Sequence, residues 1–167
     1  MLELTIAISL SVMLILLTLF LQYETMRYAW KLSDKLVFMP TQARVMVLVF
    51  MNLIAHCVHI SLFAGAYVLA IRQFHLGQLI GSVTSFLDYY YFSTVTYVSL
   101  GYGDILPTGY LRLIAAAEAL AGLILMGCSV SMIFLFMEQY WTQEPHHSQR
   151  GLWQKSSLSR SDLRKKK

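Results

Sequence analysis

Three long stretches with few or no charged residues constrain the fold of this chain more than any other feature. Residues 4–22 and 45–71 contain no Asp, Glu, Lys or Arg, and residues 111–141 contain only three. Each stretch reaches the length of about 20 residues that a helix needs to cross the hydrocarbon layer. Hydrophobic residues make up 57% of the chain and charged residues 13%, a balance that a small soluble domain cannot bury. The sequence therefore predicts an all-α membrane protein with three transmembrane helices.

A fourth apolar segment is too short to cross the membrane. Residues 86–100 are rich in aromatic residues, Ser and Thr, and Gly101, Gly103 and Pro107 follow closely. Irregular backbone at membrane depth is tolerated only where it is buried in protein or lines a water-filled path. A half-length helix that runs into such backbone is typical of a re-entrant loop. We therefore expect a re-entrant loop, formed by a half-length helix and irregular backbone, between the second and third spans.

The distribution of basic residues predicts the orientation of the chain. Four of the 13 Lys and Arg residues lie in residues 24–44 and seven in residues 142–167, whereas Arg72 and Arg112 flank the re-entrant segment. Because Lys and Arg are enriched in cytoplasmic segments, residues 24–44 are expected to form a cytoplasmic linker and residues 142–167 a basic cytoplasmic tail. The extra N-terminal helix, residues 1–23, then begins outside. Membrane lipids are the expected partners, with anionic lipid near the tail.

Residues 99–103 have the chemistry of an ion-selective filter. A dehydrated potassium ion needs oxygen ligands in place of its water, and backbone carbonyls that point toward one axis supply them. Alternating glycines, here Gly101 and Gly103, permit that backbone because Gly reaches conformations closed to other residues. The hydroxyl group of Ser99 adds a ligand at the inner end, and the ring of Tyr102 can brace the loop from outside.

On these residues the chain resembles the potassium channels. Their filter reads T-V-G-Y-G, where this sequence reads S-L-G-Y-G from Ser99 to Gly103, followed by Asp104. The resemblance extends over residues 86–136 and includes an inner helix in which Gly122 and Gly127 take the place of gating hinges. It implies a homotetramer around one pore, potassium as the permeant ion at the filter, no other metal or cofactor, and no enzymatic activity.

The resemblance also divides the chain. It implies a pore domain over residues 45–141, with the outer helix at 45–71, the pore helix and filter at 86–104 and the inner helix at 111–141. Two filter residues depart from the family pattern, because Ser99 replaces Thr and Leu100 replaces Val. Ser is less restricted at χ1 than Thr, so we expect a looser innermost ion site. Leu100 is expected to bind the ion through its carbonyl group, so that its side chain affects only packing.

Three further residues are candidates for filter support: Thr96 in the pore helix, Asp104 directly after the filter, and Glu118. An ionisable residue inside a membrane helix is costly and indicates a function. Glu118 lies four residues before Gly122 and so shares its helix face. We expect Glu118 to form a hydrogen bond to the pore helix. The alternative is a partly hydrated carboxylate at the outer interface.

One stripe of the third span repeats at spacings of three and four residues. The resemblance implies that this stripe lines the cavity below the filter, although lipid-facing or interhelical packing gives the same periodicity. Glu138 continues the stripe, and it either forms an acidic ring at the inner mouth or reaches the membrane surface as a solvated charge. The stripe consists of Leu123, Met126, Val130 and Phe134.

Polar residues elsewhere in the spans have simpler interpretations. His56 and His59 lie one turn apart and suggest a metal site, but two ligands on one turn do not complete one, so a polar contact between helices is favoured. Cys57 and Cys128 are predicted to be small buried hydrophobic residues. Asp88 is expected at the N-terminal turn of the pore helix, where the helix dipole favours negative charge.

Two other classes of function stay open at this point. A membrane enzyme with a metal or haem would use the histidine and glutamate residues of the spans, although the filter segment argues against it. A structural or regulatory channel-like subunit that does not conduct is the second alternative. Nucleic-acid binding is not expected, because the basic residues flank membrane segments. Residues 118–122 resemble small prokaryotic ion channels, which favours a bacterial inner membrane.

Overall fold

The computed structural model describes residues 1–36 and 38–142, so the predictions for the basic tail beyond Thr142 lie outside the described residues. The chain divides into two compact units, Met1–Ile133 and Phe134–Lys167. The second contains the last turns of α4, on which Phe134 and Glu138 are exposed. In chain order the elements are α1 (Leu2–Lys35), α2 (Thr41–Arg72), β1 (Leu79–Ile80), α3 (Phe86–Tyr97), β2 (Leu106–Pro107) and α4 (Leu111–Thr142).

Within the described residues, three helices are long and apolar enough to cross a membrane. These segments are Leu2–Lys35, Thr41–Arg72 and Leu111–Glu138, which confirms the prediction of three spans. The short helix α3 lies between the second and third of them, at the position predicted for the pore helix. The architecture is therefore all-α apart from one small ribbon.

The first helix is longer than the apolar stretch that predicted it. The charge-free run ends at Gln22, but α1 continues to Lys35, so much of the segment predicted as a linker is helical. An ion pair between Arg27 and Glu24, with an N–O distance of 3.0 Å at a spacing of three residues, is compatible with this extension, because such pairs lie side by side on a helix. Pro40 precedes the first residue of α2, where its fixed φ suits a helix start.

The apolar core joins the spans to the pore helix. Ala7, Leu10 and Leu14 of α1 belong to one buried cluster with Phe63 and Tyr67 of α2. The same cluster includes Phe92 of α3, Ile114 and Ala121 of α4, and residues of the connecting loops. Tyr67 and Phe92 meet edge to face with ring centroids 5.0 Å apart, a favourable geometry for aromatic pairs. The pore helix is thus held from the side by packed apolar groups.

A short antiparallel ribbon connects the loop before the pore helix to the loop after the filter. Leu79 pairs with Pro107 and Ile80 with Leu106. Next to it, the backbone N–H of Thr108 donates to the carbonyl of Gln78 at 2.9 Å. The two loops approach so closely that a Cβ atom on Gly77 would lie 2.2 Å from the Thr108 carbonyl oxygen. The ribbon therefore fixes the distance between the loop that precedes α3 and the loop that precedes α4.

Candidate functional site

The segment after α3 has an unusual alternation of backbone conformation. Ser99, Gly101 and Gly103 have φ angles of 56°, 58° and 81°, whereas the intervening Leu100 and Tyr102 are not among the non-glycine residues with positive φ. Alternation between left- and right-handed conformations aligns successive N–H groups on one side of a chain, and the carbonyl groups then face the other side. Two of the three left-handed positions are glycines, which adopt this conformation without the steric cost of a Cβ atom.

The pore helix passes directly into this segment. The N–H of Ser99 donates to the carbonyl of Thr96 at 2.9 Å, and the N–H of Leu100 donates to the carbonyl of Val95 at 2.9 Å. These two bonds form a Schellman motif, in which Ser99 takes the left-handed position after the C-cap residue Val98 and the helix ends. The position and direction of α3 determine where the filter segment starts. Thr96 contributes through its backbone carbonyl to this transition.

Asp88 lies in the first turn of α3, as predicted, and its hydrogen bonds to the residues before the helix were not predicted. Its Oδ2 atom accepts hydrogen bonds from the backbone N–H groups of Ser85 at 2.7 Å and Thr84 at 2.6 Å. These bonds hold the pKa of the Asp88 carboxyl group below its usual range. Ser85 and Asp88 together form a capping box, which satisfies N–H groups that a helix start leaves without partners.

The outer end of the filter segment is connected to α3. The hydroxyl group of Tyr91 donates to Oδ2 of Asp104 at 2.8 Å. Asp104 directly follows Gly103, and Tyr91 lies on the pore helix. This bond therefore attaches the outer end of the segment to the helix. The contact is compatible with the predicted supporting role of Asp104, which stays a prediction.

Glu118 is fully buried and joins three helices. The hydroxyl group of Tyr67 on α2 donates to Oε2 at 2.5 Å, and the hydroxyl group of Ser93 on α3 makes a short hydrogen bond to Oε1. A buried polar group requires such partners, because leaving it without them is costly. The predicted hydrogen bond to the pore helix is confirmed, and the alternative of a partly hydrated carboxylate is wrong for this residue, whose exposed fraction is 0%.

Gly122 and Gly127 occupy different environments within the continuous helix α4. A Cβ atom at Gly122 would lie 2.1 Å from the carbonyl oxygen of Tyr97, whereas one at Gly127 would meet nothing within 4 Å. Gly122 is therefore required for the close approach of α4 to the end of the pore helix. This steric role was not predicted, and the hinge role of both glycines stays a prediction.

The stripe predicted to line a cavity is largely exposed in the single chain. Leu123, Val130 and Phe134 are more than 60% exposed, while Met126 packs against the buried cluster of Ile60, Tyr97 and Leu125. Exposure in one chain fits a pore surface and a lipid-facing surface equally. The prediction that Cys57 and Cys128 are buried is wrong, because both side chains are exposed in the chain. In a membrane helix an apolar residue gains from facing lipid, so hydrophobicity does not imply burial within the protein.

A buried polar network near the inner end of α3 was only partly anticipated. His56 Nδ1 lies 2.9 Å from the hydroxyl oxygen of Tyr97, and His56 Nε2 lies 2.9 Å from Oγ of Ser129. His59 Nδ1 lies 3.3 Å from the same Tyr97 hydroxyl. The predicted polar contact is therefore confirmed, and the described residues contain no group of three His, Cys, Asp or Glu side chains suited to a metal.

Gln22 and Asn52 complete this network and were not identified from the sequence. Gln22 Nε2 donates to Oγ of Ser129 at 2.9 Å and to Oδ1 of Asn52 at 3.3 Å. Gln22, Asn52 and Ser129 are each 3% exposed. The available signal was the presence of uncharged polar residues in each apolar stretch, since such residues pair with one another inside a membrane protein.

Comparison with known proteins identifies the family. The chain gave no match among curated proteins or solved structures. A family model described as an ion channel matches residues 45–139, which is more than half of the chain and includes most of α2, all of α3, the segment after it and most of α4. With three helices able to span a membrane, the chain is a multi-pass membrane protein and belongs to this ion channel family, which is not a family of enzymes.

Proposed function

We propose that this chain is one subunit of a tetrameric channel that conducts potassium passively and selectively. The observation that supports this most strongly is the alternating sign of φ from Ser99 to Gly103 on a segment that reads S-L-G-Y-G. In the proposed filter this backbone would turn successive carbonyl oxygens toward the pore axis, where such oxygens replace the hydration shell of the ion.

A single chain supplies one quarter of such a filter. Leu100 and Tyr102 are large side chains with exposed fractions of 54% and 67%, and four copies around one axis would cover them. The exposed stripe from Leu123 to Phe134 on α4 would then line the cavity below the filter. The supporting roles of Thr96, Asp104 and Glu118 belong to the same proposal.

The purified protein should therefore give a potassium current when it is the only protein in a planar bilayer. With potassium at different concentrations on the two sides and sodium replacing it on the dilute side, the reversal potential should lie near the potassium equilibrium value. Gly101→Ala should abolish this selectivity, because an alanine at a φ of 58° is strained by about 1–2 kcal/mol.

Gly65→Ala is the matched control for this experiment. Gly65 lies in α2, and a Cβ atom meets nothing within 4 Å at either Gly65 or Gly101. Within one chain the two substitutions therefore differ in backbone conformation and not in available space, and Gly65→Ala should retain the wild-type reversal potential. Comparable sodium and potassium currents from wild type would disprove selectivity, and an assembled protein without current would favour a non-conducting or regulatory subunit.

We also propose that the connection between α1 and α2 faces the cytoplasm. Lys31, Lys35 and Arg44 lie in or next to this connection, and basic residues are enriched on the cytoplasmic side. In a chain from which Cys57 and Cys128 have been removed, a cysteine at Asp34 should react with a membrane-impermeant reagent only from the inside. A cysteine at Ile80, in β1, should react only from the outside. The opposite labelling pattern would reverse the orientation.

A further inference from the structure

We propose that Gln22 and Tyr97 are positioning residues for the inner end of the filter. Helix α1, which lies outside the family-matched residues 45–139, would then form part of the conducting unit. The inference rests on the proposed function, because it assigns α1 a role in the geometry of the same ion site. It is carried by a continuous chain of hydrogen bonds, buried at Gln22 and partly buried at His56, that begins on α1 and ends two residues before Ser99.

The direction of these hydrogen bonds can be assigned from their partners. Oγ of Ser129 lies 2.9 Å from the carbonyl oxygen of Leu125 and 3.1 Å from Oδ1 of Asn52. Both of these atoms only accept, so the one hydroxyl hydrogen of Ser129 is donated to one of them. Oγ of Ser129 therefore accepts from Nε2 of Gln22 and from Nε2 of His56.

The same reasoning continues to the pore helix. A neutral His56 that donates from Nε2 has an acceptor at Nδ1, and this atom receives the hydroxyl hydrogen of Tyr97 over 2.9 Å. The Tyr97 oxygen then accepts from Nδ1 of His59 at 3.3 Å. Every contact in the chain from Gln22 to Tyr97 thus has one donor and one acceptor, and α1, α2, α4 and the last residue of α3 all take part.

Tyr97 is well placed to transmit this connection to the filter. Its side chain is 1% exposed, and its carbonyl oxygen lies against Gly122 of α4. The neighbouring Thr96 carbonyl accepts the N–H of Ser99 at 2.9 Å. A displacement of the Tyr97 ring therefore moves the backbone from which the innermost filter residue starts.

Gln22 differs from Thr18 and Ser11, two other buried polar residues of α1. Thr18 donates to carbonyl oxygens of α1 itself, those of Leu14 at 2.9 Å and Ile15 at 3.0 Å, and Ser11 donates to the carbonyl of Ala7 at 2.8 Å. These bonds need no other helix. Gln22 instead donates across to Asn52 and Ser129, so its amide group ties α1 to its neighbours.

The test compares Gln22→Met with Thr18→Val, two substitutions of buried polar residues one turn apart on the same helix. The measurement is block of single-channel potassium current by internal barium, with Ser99→Ala as the reference for a change at the innermost site. Gln22→Met should weaken block by about two- to tenfold, the range of one net hydrogen bond. Thr18→Val should leave block unchanged, because it removes only a bond within α1.

A second pair of variants tests whether the effect passes along the network. Tyr97→Phe removes the hydroxyl group that ends the hydrogen-bond chain and should shift barium block in the same direction. Ser129→Ala should have the same effect. It replaces Tyr97→Phe in the test if that variant does not assemble. Adding Gln22→Met to either variant should then produce no further shift, because the connection is already broken. Independent contacts would give additive shifts instead.

The possible outcomes separate this inference from the proposed function. A wild-type protein without selective potassium current overturns the proposed function, and with it the assignment of an inner filter site. Normal wild-type current with unchanged barium block in Gln22→Met and in the variants of Tyr97 and Ser129 overturns the positioning role alone. Additive shifts in the double variant, or an equal shift in Thr18→Val, also overturn it, because general packing would then explain the result.

Discussion

The pore helix is held to the spans in two chemically different ways. In its middle, the carboxyl group of Glu118 accepts hydrogen bonds from Tyr67 and Ser93, so one residue serves three helices. At its inner end, neutral hydroxyl, imidazole and amide groups form a chain from Tyr97 to Gln22. Attachment through the carboxyl group depends on one side chain, whereas attachment through the hydrogen-bond chain depends on several. Removal of Glu118 should therefore cost more than removal of any single member of the network.

Loss of the Glu118 carboxyl group tests this difference most directly. Glu118→Ala should lower the thermal midpoint of the purified protein strongly, because each buried group that loses its partner costs roughly 1–3 kcal/mol. Ser93 has a second acceptor in the carbonyl of Ile60 at 2.9 Å, so the Tyr67 hydroxyl carries most of this penalty. Glu118→Gln should be tolerated better, since the amide retains one acceptor oxygen.

Leu120→Ala provides the control, because Leu120 lies on the same helix and is 57% exposed. It should change the thermal midpoint little. If Glu118→Ala and Glu118→Gln unfold at the same temperature as Leu120→Ala, the carboxyl group does not hold the pore helix, and the contrast between the two attachments disappears.

The next largest effect is expected at the close contact between α4 and Tyr97. Gly122→Ala would place a Cβ atom 2.1 Å from a backbone oxygen, and the helices must separate to admit it. We expect a lower thermal midpoint together with altered barium block. Gly127→Ala has open space and should be neutral or stabilising, because Ala is favoured over Gly within a helix by about 0.5–1 kcal/mol. Equal effects of both substitutions on channel opening, with unchanged stability, would favour a hinge role for both.

Glu138 extends the comparison to an exposed carboxyl group on α4. If four copies surround the inner mouth, their charge raises the local potassium concentration. Glu138→Gln should then reduce outward single-channel current at low internal potassium and low ionic strength, and the reduction should vanish at high salt because the charge is screened. The thermal midpoint should not change. A mutant current equal to wild type at low potassium would place Glu138 away from the pore axis.

The smallest effect concerns the N-terminal cap of the pore helix. The bonds from Ser85 and Thr84 lower the pKa of Asp88, so its charge stabilises the folded protein at neutral pH. This contribution is lost as the pH falls through the lowered folded-state pKa. Asp88→Asn keeps a capping oxygen, so the difference in thermal midpoint from wild type should be small at neutral pH and vanish in acid.

Asp34→Asn, at the opposite type of helix end in α1, is the control for Asp88. The native carboxyl group of Asp34 should give no comparable stabilisation, so Asp34→Asn and wild type should have similar thermal midpoints. A difference between Asp88→Asn and wild type that stays constant down to acid pH would mean that the cap acts through shape alone.

The features of residues 86–104 could be predicted from the sequence because each of them depends on neighbouring residues in the chain. The length of residues 86–100 predicted the pore helix, and the glycines at 101 and 103 predicted the special backbone. The helix dipole predicted the place of Asp88 in the first turn of α3. Glu118 was recognisable because a carboxyl group in an apolar span must have partners. Its contact with the pore helix followed from the helix face that it shares with Gly122.

The sequence by itself determined three membrane spans, a short helix and a glycine-containing segment of unusual backbone, because length, charge and glycine content act within one stretch of chain. Only the tertiary structure decided the partners of Gln22, which lies 107 residues from Ser129, and the reason for a glycine at position 122. It also decided that Cys57 and Cys128 are exposed, whereas hydrophobicity suggested burial. Periodicity shows that a helix is apolar but not whether lipid or protein covers each face, since both are apolar surroundings. Partners and faces are fixed only when the helices pack.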